Sequence, residues 1–117
     1  MVSDDKDSSG QRQQHRAWGA PRDVPKDSGA GQQIRHVQSF VNGEEGGPDF
    51  ARGWLAGRRS SLGARERLRA PLQRIFDDIF YVLEEYVIDP DLRDDDDMSD
   101  DALLAHICSA AERMDRL

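Results

Sequence analysis

The side chains best suited to nucleophilic, acid–base or metal chemistry are three histidines, His15, His36 and His106, and one cysteine, Cys108. They fall in a polar tail and on two separate predicted helices, with none of the spacings that gather zinc ligands. Cys108 sits beside the apolar stripe of the last predicted helix, where a thiol packs as a small hydrophobe. Gly43, Gly46 and Gly47 lie between predicted helices with no strand before them, so they do not make a phosphate-binding loop. The acidic run from Asp89 raises calcium. Counted from there, Asp91 takes the third position of an EF-hand loop, but Arg93 takes the fifth, Asp94 replaces the sixth-position glycine and Asp100 takes the twelfth. The expectation is a protein with no catalytic residues, no metal site and no cofactor.

What remains is carboxylate chemistry on a surface. The net charge of −7 divides unevenly: residues 1–74 hold 13 Lys+Arg against 9 Asp+Glu, and residues 75–117 hold 3 against 14. Such a block repels phosphates and attracts cations, so the expected partner is a basic protein and not a nucleic acid. Acid-rich helix faces also serve solubility alone, and that reading stands beside the first. At 100° per residue, Asp77, Asp78, Tyr81, Glu84 and Glu85 point away from the apolar stripe of one helix, and Asp89 and Asp91 extend the strip into the next loop. Glu84 and Glu85 stand near a helix C-terminus, where the dipole disfavours anions. A cost to the helix without structural return suggests use in binding, with Tyr81 as an aromatic anchor.

The elements that carry these residues are helical. Residues 1–32, rich in Ser, Gly, Gln, Asp, Arg and Pro, cannot bury enough surface to offset their ordering entropy and are expected to be disordered; Trp18 alone is a weak sign of anchoring. Residues 33–117 are expected to form one all-α domain, a compact antiparallel four-helix bundle. Ile34, Val37, Phe40 and Val41 predict a first helix that ends at Asn42-Gly43. Pro48 opens a second helix that places Phe50, Trp54 and Leu55 on one side; its Gly53 and Gly57 weaken it but allow a neighbouring helix to come close. The strongest pattern is the third, in which Leu68, Leu72, Ile75, Phe76, Ile79, Phe80, Leu83, Tyr86 and Val87 recur at threes and fours until Asp89-Pro90 stops the helix. Pro71 must then lie in its first turn or at a kink. Ser99 caps a fourth helix that buries Leu103, Leu104, Ile107, Ala111 and Met114. One cysteine permits no intrachain disulfide, Asp4, Asp5 and Asp7 stand where a signal peptide needs a basic start, and no long apolar run is present. Together these predict a soluble, cytoplasmic protein.

Several of these residues also form a recognisable series. Phe40-Val41-Asn42-Gly43 is followed by Phe50, Trp54 and Arg58-Arg59, then by the helix Ile75 to Tyr86, by Asp89-Pro90-Asp91-Leu92-Arg93, and by the capped segment Ser99-Asp100-Asp101-Ala102-Leu103. From about Ile34 to Leu117 the chain thereby resembles the bacterial self-protective immunity proteins similar to the colicin D immunity protein. It departs from them at Glu45-Gly46, where an apolar residue and a Ser or Thr cap are usual, and in its long N-terminal extension. The resemblance implies a four-helix protein that binds and neutralises a cognate ribonuclease toxin, often one that cleaves transfer RNA. It further implies that Asp77, Asp78, Glu84, Glu85, Asp89 and Asp91 contact a basic cleft, with Tyr81 at its edge, and that the protein is monomeric until toxin-bound. The competing reading is a general acidic helical interaction or regulatory module unrelated to toxins.

Overall fold

A computed structural model describes residues 17–117, so the disorder expected of residues 1–16 lies outside the described residues. The described residues are mostly helical, with four helices: α1 (Gly29–Val41), α2 (Gly47–Gly63), α3 (Ala70–Glu85) and α4 (Asp100–Asp115). Two-residue strands β1 (Ala17–Trp18) and β2 (Arg67–Leu68) pair in parallel, Ala17 opposite Arg67 and Trp18 opposite Leu68, and single 3-10 turns occupy Pro21–Asp23 and Pro90–Leu92. Among the described residues no helix is long and apolar enough to cross a membrane.

The ordered chain begins earlier than the composition suggested, which moves the expected boundary between residues 32 and 33. Ala20, Val24 and Ala30 are buried, and Trp18 is half-buried against the core. α1 starts at Gly29 because Ser28 caps it, its hydroxyl accepting the Gly31 N–H at 2.9 Å. The Glu66 carboxylate takes two more orphan donors of the same turn, the N–H groups of Gly29 at 3.0 Å and Ala30 at 2.9 Å. A segment too polar to fold alone is thus held by partners distant in sequence.

α1 and α2 pack closely on small residues. A Cβ on Gly29 would run into the Ser61 backbone nitrogen, one on Gly53 into the His36 ring, and one on Gly57 would meet Gln33 Cγ at 2.9 Å. The close approach expected of Gly53 and Gly57 is therefore present. Phe40 and Phe50 stack across the pair at 4.7 Å between ring centroids, and Trp54 reaches Phe76 of α3 at 5.8 Å. Burying aromatics of this size contributes much of the drive to fold. Gly43, at φ +78°, closes the turn after α1 as the Asn42-Gly43 pair predicts.

The third helix is shorter at both ends than its apolar pattern. Leu68 belongs to β2, and α3 begins at Ala70 with Pro71 in its first turn, where the missing N–H costs nothing. At the other end Tyr86 turns to extended backbone (φ −90°, ψ 121°), so Tyr86 and Val87 lie beyond the helix and it stops before Asp89-Pro90 is reached. Leu72, Ile75, Phe76, Ile79 and Leu83 form the buried face. Phe80 is only half-buried, covered by the Arg58 guanidinium 3.8 Å above its ring. α4 carries the Ser99 cap as expected, accepting from Ala102 N–H at 3.0 Å, and buries Leu103, Ile107, Ala110 and Met114; Leu104 and Ala111 pack at the margin.

Candidate binding face

Five of the seven candidate residues occupy one side of α3. Asp77, Asp78, Tyr81, Glu84 and Glu85 are all exposed while the opposite side is buried, and at 100° per residue they sweep an arc of about 120° with Tyr81 near its middle. Tyr81 is 62% exposed, its ring 6.2 Å from that of Phe80. An aromatic side chain presented to solvent between carboxylates offers apolar area and a hydroxyl in one place.

The carboxylates are not equivalent. Asp77 Oδ1 accepts from Gln73 Nε2 at 2.9 Å, one helical turn back. Asp78 Oδ2 is held by Arg113 Nη1 of α4 at 2.7 Å, so one charge of the face is bridged within the chain. Glu84 and Glu85 form no ion pair with another described residue. With Asp77, whose only side-chain partner among the described residues is a neutral amide, these two carry negative charge that no cation among those residues offsets. Asp89 and Asp91 lie past the bend at Tyr86, both exposed; Asp89 Oδ1 accepts the Asp91 N–H at 3.0 Å and so caps the Pro90–Leu92 turn. Their position follows from that turn and not from the periodicity of α3.

The bend is fixed by a cluster that spacing alone did not expose. Tyr86, 4% exposed, donates its hydroxyl to Asp100 Oδ1 at 2.6 Å and accepts from Arg93 Nη2 at 2.6 Å. Arg93 also bridges Asp100 Oδ1 at 2.9 Å, donates from Nε to the Val87 carbonyl at 2.8 Å and lies over the Tyr86 ring at 4.7 Å. Burial, and next the hydrogen bond to Asp100, push the Tyr86 phenol up to about 12 from its ordinary 10.0. Gly47, at the start of α2, closes the group, because a Cβ there would run into the Tyr86 hydroxyl. One signal was available in the sequence: Arg93 is the lone cation between Arg74 and Arg113. In a segment so acidic, a single arginine has many possible partners, and spacing does not choose among them.

His36 Nδ1 meets Glu45 Oε2 at 2.8 Å, which ties α1 to the loop before α2. His106 is exposed on α4 and Cys108 is half-buried. Among the described residues no three His, Cys, Asp or Glu side chains are gathered so as to hold a metal ion. Beside the acidic face, α3 and α4 enclose an open groove of about 380 Å³ whose rim includes Tyr81, His106, Ser109 and Arg113. Sequence reasoning found the α3 side of this groove but not the α4 side, since His106 and Ser109 carry no distinctive spacing. Comparisons with family models, with curated proteins and with solved structures find no match to this chain.

Proposed function

We propose that this chain is an immunity protein of the colicin D-like kind, which binds a cognate ribonuclease toxin and neutralises it by covering its basic active-site cleft. The observation that carries the reading is the exposed arc of α3, with Glu84 and Glu85 free of any ion pair among the described residues and Tyr81 presented between acidic residues. An RNA-cleaving site holds phosphates with cationic side chains, and carboxylates at comparable spacing can occupy the same places. Asp77, Asp78, Glu84 and Glu85 supply these, Tyr81 packs at the cleft edge, and Asp89 and Asp91 extend the contact beyond the helix. The protein inhibits by occlusion, so it uses no catalytic group, metal or cofactor.

In this reading the four helices make a compact antiparallel bundle that is monomeric until it meets the toxin in the cytoplasm. The Arg93–Tyr86–Asp100 cluster then has a purpose: it holds the loop with Asp89 and Asp91 in a fixed relation to α3, so that little order must be gained on binding.

The test is co-expression with the product of the adjacent reading frame, scored for growth and for a complex that co-purifies. The expected result is a basic, toxic neighbour whose effect is suppressed and which is recovered bound to this chain. A neighbour that is harmless, or toxic with no rescue, favours the general interaction module instead.

A further inference from the structure

Of the four carboxylates on the exposed side of α3, Asp78 alone is bridged by a cation among the described residues, and that cation spans the groove between α3 and α4. The floor of the groove is apolar, made by Ile79, Ile107 and Ala110, each at most 4% exposed, with Val82 beside them. At its rim Arg113 Nη1 meets Asp78 Oδ2 at 2.7 Å, the two side chains being 39% and 57% exposed. A bridge so open to water adds little to folding, because solvent screens it and two long side chains lose freedom to form it.

We propose that Arg113 is a placeholder. When the cationic partner docks, one of its arginine or lysine side chains lays its aliphatic stem along the groove floor and takes Asp78 in place of Arg113. The inference rests on the acidic-face reading and names the partner group that the groove beside that face receives. An apolar floor ending in a carboxylate matches a side chain with an aliphatic stem and a cationic head, and only lysine and arginine have both. The bridge keeps Asp78 extended over the groove before the partner arrives, and released Arg113 can turn out to solvent.

The experiment uses a fluorescein-labelled octa-arginine peptide as the probe, with binding read by fluorescence anisotropy at low ionic strength. Arg113→Gln is compared with Arg116→Gln. Both remove one positive charge from the end of α4, but only the first frees Asp78. The expected result is binding about threefold tighter for Arg113→Gln than for Arg116→Gln, the factor associated with releasing an exposed ion pair. Adding Asp78→Asn should abolish the difference. Equal affinities overturn the proposal, as does weaker binding by Arg113→Gln. Loss of cooperative melting in Arg113→Gln overturns it too, since the bridge would then be structural. The double change Glu84→Lys, Glu85→Lys separates the two levels. If it leaves peptide affinity unaltered, the acidic-face reading itself fails. If it weakens binding while Arg113→Gln and Arg116→Gln agree, only the placeholder fails.

Discussion

Tyr86 shows how one side chain can end a helix and set the course of the following loop. Its spacing places it on the apolar stripe of α3, and it is indeed buried, yet it lies one residue past the helix. Periodicity reports burial, and a residue that leaves the helix while still facing the core keeps the same spacing. The hydroxyl is the part that periodicity cannot see: it donates to Asp100 and accepts from Arg93. Because the folded phenol ionises near 12 and the unfolded one near 10.0, its contribution is complete below pH 10 and declines as pH rises from there through 12. Denaturant melts should therefore show the native protein more stable than Tyr86→Phe by about 1 kcal/mol at neutral pH, for a hydrogen bond of this kind, with that advantage shrinking and then lost as pH rises above 10. A gap that persists unchanged at high pH would contradict this account of the cluster.

Among the elements, the α1–α2 pair departs most from what residue propensities imply. In an isolated helix Gly→Ala stabilises by roughly 1 kcal/mol. Here the sign should reverse at Gly29, where a Cβ would strike the Ser61 backbone and cannot be relieved by rotating a side chain. Gly29→Ala is expected to lower stability by about 1–3 kcal/mol, the usual cost of overpacking, measurable as a fall in melting temperature. Gly63, whose Cβ would meet nothing, is the internal control and should show no such loss. The helices themselves were largely legible: the Asn42-Gly43 stop, Pro48 and Pro71 in first turns, and the Ser99 cap are local signals that tertiary packing did not override. The order of residues 17–32 was not legible. It depends on Glu66 reaching the first turn of α1 and on β1 pairing with β2, contacts between segments far apart in the chain. Composition measures what a segment can bury by itself, not what a distant partner supplies.

At the scale of the molecule, charge is sorted along the chain, and α3 has one side in the core and the other in water. The exposed positions of the candidate face were legible because five of them share a single helical period. Their use in binding is an inference from that exposure, from Glu84 and Glu85 having no ion pair among the described residues, and from the resemblance in sequence. If electrostatic attraction guides the encounter, association with the proposed toxin partner should slow steeply as ionic strength rises, while dissociation changes far less. Stopped-flow mixing across a salt series checks this, and an association rate indifferent to salt would assign the face to solubility alone. The most direct measurement, for the function proposed, is protection of cells against the proposed nuclease partner by the Glu84→Lys, Glu85→Lys variant, with circular dichroism confirming unchanged helicity. The account predicts a folded protein that no longer protects. Full protection by that variant would contradict it.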